Sequence, residues 1–356
     1  MRIAHIILTS QNGGAEQVFV DYVRILKKIG HQNFSIIKNN APYANQLEDN
    51  SQEILKISNN FGYHDIFAVE KIKKFLIKNQ IDIVIAHAGR AMVLANKAIK
   101  KIPSKILILV AVNHSNNVKR SLCADLILSI NKEIFFKTID LKRTPENSLI
   151  LYNGIEVPSL TEFPKTNFIN QEIINLGVIG RGIKVKGFDF AIKALKILKD
   201  KVPQKKFRLF IAGDGEEMAN LKVLARSLNL ENEVIFLGWV HNKSDFYEKI
   251  DIFILPSRIE TFGLVILEAM KNFKPIIATK CDGPLEILRD NIDGLLVDLQ
   301  NPDSIPDNIA KNVEKIISDD KASSDMIHSA FARLDLRYSF KTLEKNLAEI
   351  FKIKIN

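Results

Sequence analysis

The sequence predicts an α/β protein made of two doubly wound, Rossmann-like domains. Three observations predict it. Short runs of branched apolar residues alternate with amphipathic helical stretches along most of the chain. The apolar runs are continuous, not alternating, which is the pattern of parallel strands covered on both faces. A length of 356 residues, 46% hydrophobic and 26% charged, suits two globular domains of ordinary size.

In order, residues 2–8 form the first strand, and Thr9 to Gly14 ends it. A helix from Ala15 to Ile29 follows, with Val18, Tyr22, Ile25, Leu26 and Ile29 on one face and Gly30 as its stop. Residues 33–38 are a second strand. From Asn39 to Tyr63 the chain is polar and poorly periodic, so that it holds either a functional loop or short elements hidden from periodicity. A basic amphipathic helix spans 69–79, with Lys71, Lys73, Lys74 and Lys78 opposite Val69, Ile72, Phe75 and Leu76. Such a helix either lies on an anionic membrane or is simply an outer layer of the domain. Strand 81–86 leads to His87, a helix starts near Ala91, and strand 105–112 delivers Asn113 and His114. Strands 125–130 and 149–152 complete a domain over 1–158, followed by a linker with Pro158 and Pro164.

The second domain, 171–335, opens with strand 173–179. Helix 187–200, strand 207–212, helix 216–228, strand 233–237, helix 243–249 and strand 251–255 alternate after it. A helix from Gly263 to Lys271, strand 275–278, helix 284–289 and strand 294–297 continue the series. The tail, 336–356, carries a last helix over 341–353.

Composition excludes several classes. Cys123 and Cys281 are far apart and lack metal-like spacing, which points to a reducing cytosol and not to a disulfide framework or zinc site. No apolar run is long enough for a signal peptide or a membrane span. The net charge of +9 fits either the Lys, Ile and Asn bias of an AT-rich genome or a preference for anionic partners. No nucleic-acid reader motif accompanies it, so nucleic acid is not an expected partner.

Candidate site residues gather where strands end, the side on which open α/β sheets bind ligands. After strand 251–255 a loop carries Glu260 into Phe262 and Gly263, and Leu264 and Val265 begin a helix whose first amides favour an anion. Glu268 follows eight residues after Glu260, a separation suited to the two ends of an extended ligand. The alternative is a surface acid on a loop and a solvated one on a helix. After strand 173–179 comes Gly180-Arg181, then Lys184, Lys186 and Gly187, cations that suit a diphosphate or merely decorate a loop. Gly213-Asp214-Gly215 and Leu237-Gly238-Trp239-Val240 also follow strands, with Trp239 either covering a ligand or filling core. Asp282 before Gly283-Pro284 reads as a helix N-cap, with Glu286 beyond. In the first half the candidates are Gly13, Gly14, His87 and His114.

Taken together, Gly13-Gly14-Ala15-Glu16 with Gly30-His31, Asn153-Gly154-Ile155, Gly180-Arg181 with Lys186-Gly187, Gly213-Asp214-Gly215, and Glu260, Phe262-Gly263 and Glu268 resemble retaining glycosyltransferases of family 4. The resemblance runs from about residue 1 to 300 and is strongest over 176–298, with Thr261 where the family often has glycine. It implies the GT-B fold, two Rossmann-like domains facing a cleft, with the closing helix crossing back to the first. It also implies transfer of a sugar from a nucleotide diphosphate sugar to a hydroxyl acceptor, with no cofactor and no metal. Glu260 would then contact the sugar, Glu268 the ribose, His114 the sugar's far side, and Arg181 and Lys186 the diphosphate. The backbone of Phe262 to Val265 would meet sugar and phosphate, and Gly213, Trp239 and Val240 the nucleotide. Gly13 and Gly14 would lie near acceptor and donor phosphate. The implied acceptor is a bacterial surface glycan or glycolipid such as lipopolysaccharide, and the implied place the cytoplasm, with peripheral membrane contact. An epimerase of the same fold and a non-catalytic sugar-nucleotide-binding subunit are the alternatives.

Overall fold

The computed structural model describes residues 1–11, 13–58, 60–103, 107–141, 144–159, 163–164 and 166–354, the last two by backbone alone. Lys105 and Ile106 of the expected strand 105–112, and Leu160 to Glu162 and Lys165 of the expected linker, lie outside these. The chain divides into two compact units, Met1–Gly154 with Phe340–Asn356, and Ile155–Ser339.

The first unit contains β1 (Arg2–Ile7), α1 (Gly14–Lys28), β2 (Gln32–Lys38), β3 (Ile54–Ile57), α2 (Ile66–Lys78), β4 (Ile83–His87), α3 (Ala88–Ile99), β5 (Ile108–Asn113), β6 (Leu126–Ser129), α4 (Lys132–Asp140) and β7 (Ser148–Ile150). Its strands pair in parallel in the order β3-β2-β1-β4-β5-β6-β7. Residues of β4 are fully buried, as covered parallel strands require. The polar stretch 39–63 holds the edge strand β3, which periodicity does not reveal because only Ile57 of its four residues is buried. Two further helix starts differ from expectation. The helix α3 begins directly after His87, a turn before Ala91. The helix α4 lies outside the predicted elements; Asn131 starts it, its side chain accepting from the Ile134 amide at 2.7 Å.

The second unit contains β8 (Ile173–Ile179), α5 (Phe188–Lys201), β9 (Lys206–Ala212), α6 (Met218–Ser227), β10 (Val234–Gly238), α7 (Lys243–Lys249), β11 (Ile252–Leu255), α8 (Leu264–Lys271), β12 (Ile276–Thr279), α9 (Asp282–Ile287), β13 (Leu295–Val297), α10 (Ile305–Ser318) and α11 (Asp320–Tyr338). The parallel order is β10-β9-β8-β11-β12-β13. This is the strand order of a doubly wound sheet, with its switch point between β8 and β11. Its core packs Ile174, Leu176 and Val178 of β8 against α5 and α10. A last helix, α12 (Phe340–Lys354), belongs to the first unit, where Glu344 accepts from Lys28 Nζ at 2.6 Å and Phe340 lies under Arg24. Among the described residues no helix is long and apolar enough to cross a membrane.

Candidate active site

In the second unit the two strands beside the switch point end in the two loops that carry the predicted acid and cations. Backbone contact knits these loops together, and glycine permits it. At Gly187, with φ +65°, a Cβ would stand 1.9 Å from the Pro256 carbonyl oxygen. At Gly213, with φ +127°, it would stand 1.8 Å from the Gly180 oxygen. No L side chain fits either place. The Gly213 amide also donates to the Gly238 carbonyl at 2.7 Å, tying the ends of β9 and β10.

Lys186 and Glu260, 74 residues apart, meet across this junction at 2.6 Å. Their side chains are only 19% and 12% exposed. A charge-assisted bond so shielded from water is stronger than its surface counterpart. Arg258 braces the pair: its guanidinium forks onto Asp189 at 2.7 and 2.8 Å, donates to the Lys184 carbonyl at 3.0 Å, and lies 4.0 Å over the Phe190 ring. Its amide donates to the Val185 carbonyl at 2.7 Å. The Asp189 carboxylate holds the Arg258 pKa above its usual value. Arg258 and Asp189 were not among the sequence candidates; the signal was Arg258 two residues before Glu260. Arg181 lies on the same loop as Lys186, with its side chain exposed. The exposed Lys184 contributes its backbone to the clamp.

Gly263, with φ +93°, caps α8 without any side-chain cap, so the amides of Leu264 and Val265 open the helix uncapped. Phe262 is buried and Gly283 packs on its backbone, donating to the Glu260 carbonyl at 2.9 Å. Gly283 therefore positions Glu260. Asp282 does not cap α9. Cys281 holds the N-cap position and Asp282 is the first helical residue, because the chain leaves β12 in an extended conformation one residue earlier than the Asp-Gly-Pro pattern suggests. The Glu286 carbonyl accepts from Tyr338 Oη at 3.0 Å and from Arg333.

Glu268, on the second turn of α8, accepts from Lys243 Nζ at 2.5 Å and from Tyr247 Oη at 3.3 Å. Burial pushes the Tyr247 phenol well above its usual pKa, and the Glu268 charge pushes in the same direction. Glu260 and Glu268 are thus each already paired with a lysine, and Lys243 is a contact that sequence reading missed. Trp239 is 46% exposed beyond the edge strand β10 and is not a core residue, and Val240 beside it is half-buried.

In the first unit, His87 Nδ1 and His114 Nε2 lie 3.1 Å apart, with the rings stacked at 5.3 Å. Phe19 and Tyr22 turn edge-to-face toward His87. Burial lowers the His114 pKa to about 4 and, with the His114 charge adding, takes His87 well below its ordinary value. Both rings are neutral at ordinary pH. Gly13 is the N-cap of α1, its amide donating to Glu16 at 3.1 Å, and Gly14 is the first helical residue.

Residues 161–333 match the family described as Glycosyl transferases group 1. An uncharacterized glycosyltransferase of Methanocaldococcus jannaschii is 28% identical over 64% of this chain and 60% of its own length. The lipopolysaccharide core biosynthesis glycosyltransferase LpsE of Rhizobium meliloti is 25% identical over 90% of this chain and 89% of its own. Among solved structures, HepE of Anabaena in complex with UDP has a TM-score of 0.81 at 21% identity, covering 99% of this chain and all of that one.

Proposed function

We propose that this GT-B glycosyltransferase moves a sugar from a nucleoside diphosphate sugar to a hydroxyl of a bacterial surface glycan or glycolipid, and does so with retention and without a metal. The observation that carries the reading is the shielded Lys186–Glu260 pair at the switch point, beside the uncapped start of α8. The UDP in HepE supports a uridine donor, and LpsE supports a lipopolysaccharide-type acceptor.

In the proposed reaction the bond from the anomeric carbon to the diphosphate oxygen breaks and its electron pair leaves with the diphosphate. Arg181, Lys186 and the first amides of α8 stabilise that growing charge. The acceptor oxygen bonds to the anomeric carbon on the face that the diphosphate leaves, and its proton passes to a leaving phosphate oxygen. Glu260 orients the sugar hydroxyls, and Lys186 holds Glu260 in place while facing the phosphates. Glu268, steadied by Tyr247 and Lys243, takes the ribose hydroxyls. Gly213, Trp239 and Val240 attend the nucleotide, and Gly13 and Gly14 the phosphates. His114, held by His87 as a neutral ring, hydrogen-bonds the sugar. The enzyme works in the cytoplasm, reaching a lipid-borne acceptor at the inner face of the membrane.

Product NMR with a panel of nucleoside diphosphate sugars tests this. The expected product keeps the donor's anomeric configuration and forms equally well with chelator present. An inverted product or loss of turnover with chelator refutes the mechanism.

A further inference from the structure

Tyr63, in the short turn Gly62–His64, is approached by two guanidiniums. Arg120 Cζ lies 4.2 Å from its ring centroid and Arg90 Cζ 5.9 Å. Neither arginine has a carboxylate partner among the described residues. Arg90 Nε is moreover buried without an acceptor. A guanidinium only donates, so two of them gathered on one ring without an ion-paired carboxylate, one with a buried Nε that finds no acceptor, offer forked donors and positive charge to an anion.

The arrangement is held in place. Asn113 donates to Ser121 Oγ at 2.9 Å and Ser121 to the Val118 carbonyl at 2.7 Å, which pins the turn bearing Arg120. Lys97 Nζ fixes the Tyr63 carbonyl at 2.9 Å. Arg120 crosses the first turn of α3, where a Cβ on Gly89 would fall 2.9 Å from Arg120 Cδ. Ala88 opens that turn with φ +67°, a left-handed conformation that costs an alanine free energy and is found at functional sites. The place is the carboxyl end of β4, beside the first unit's own switch point between β1 and β4. A few residues from Tyr63, Phe61, Ile66 and Phe67 are 64%, 65% and 65% exposed, with the two phenyl rings 6.4 Å apart.

The geometry points to a site for the phosphate of a lipid-borne acceptor, which Arg90 and Arg120 hold while Phe61, Ile66 and Phe67 enter the lipid. It rests on the glycolipid acceptor proposed above and adds the chemistry by which that acceptor is held. Anionic oxygens answer the forked donors, and exposed aromatic and aliphatic side chains suit the membrane boundary.

The full chain is sedimented with phosphatidylcholine vesicles, with or without a minority of phosphatidic acid, and its UDP affinity is read by thermal shift. Wild-type protein is expected to prefer the phosphatidic acid vesicles about tenfold, 1.4 kcal/mol. Combining Arg90→Ala with Arg120→Ala removes that preference and leaves the UDP shift unchanged. Gly89→Ala, which displaces Arg120 without removing charge, removes part of it. Combining Lys71→Ala with Lys74→Ala changes it less than twofold. Retained preference in the arginine variant overturns the proposal, as does equal loss in the lysine variant, which would mean diffuse charge. A parallel loss of UDP affinity reassigns the arginines to the donor and overturns it too. So does glycerol 3-phosphate bound as tightly as the vesicles, which marks a soluble phosphate ligand. Absence of any UDP shift in wild-type protein counts against the donor reading alone.

Discussion

The Lys186–Glu260 pair is open to a double-mutant cycle of Lys186→Met, Glu260→Gln and both together. The charges are 2.6 Å apart and both side chains are mostly covered. At an effective dielectric constant of about 20, Coulomb attraction at this distance is on the order of 6 kcal/mol. Desolvating two ions removes most of that, which leaves a coupling of about 1.5–3 kcal/mol, the range of hydrogen bonds to charged groups. The two single effects then sum to more than the double variant's effect, by that coupling, because each single variant strands one shielded charge or hydrogen-bonding group. The assay is urea unfolding followed by Trp239 fluorescence. Trp239 is the chain's single tryptophan and sits in the same unit, so it reports on that unit's transition. Lys186→Met also lowers kcat/KM by about a hundredfold or more if Lys186 meets the diphosphate. Additive single effects, with coupling below about 0.5 kcal/mol, would refute the claim that the two loops communicate through this bond.

Three further outcomes are expected. Gly187→Ala forces an alanine into the left-handed region, at about 1–2 kcal/mol, and overlaps the Pro256 carbonyl besides. The same fluorescence transition should fall by more than that conformational cost, with a raised KM for donor; wild-type values for both would sink the reasoning. Asp293 is fully covered and accepts from Arg289 twice at 2.8 Å and from Ser329 at 2.8 Å, with Arg333 at 3.5 Å. Asp293→Ala should cost about 1–3 kcal/mol, measured by urea unfolding, since it removes charge-assisted bonds to Arg289 and Ser329 and leaves the largely covered Arg333 without its acid. Burial lowers the His5 pKa from 6.5 to about 4, with Asn33 opposing and His31 assisting, and burial alone lowers His114 to about 4. The unfolded chain therefore binds more protons between these values, so the stability each neutral ring contributes is present above pH 6.5 and lost as pH falls toward 4. For His5 the loss is about 3 kcal/mol, and comparing His5→Gln with wild type at pH 7 and pH 4.5 by circular dichroism should show the variant losing less.

What the residues determined by themselves was local. Runs such as Ile252–Leu255 and Ile173–Ile179 are apolar on both sides, so they form covered parallel strands, and the helices between them follow from apolar spacing. Strand ends carry the motif residues, which is why Arg181, Lys186, Glu260 and Glu268 were legible as candidates. The strand β3 was not legible, because an edge strand with one buried residue has little pattern to show. The position of Asp282 misled because capping depends on where the backbone leaves β12, not on which residue is able to cap.

Tertiary structure decided which candidates touch. Lys186 meets Glu260, Lys243 meets Glu268, Arg258 meets Asp189 and His87 meets His114, across 74, 25, 69 and 27 residues. Those distances along the chain carry no signal in periodicity or composition. They arise from sheet order: β8 and β11 become neighbours only when the chain crosses over, and β4 and β5 pair beneath the two histidines. The chemistry of each side chain is written in the sequence, whereas its partner is set by parallel pairing between strands that the chain visits far apart.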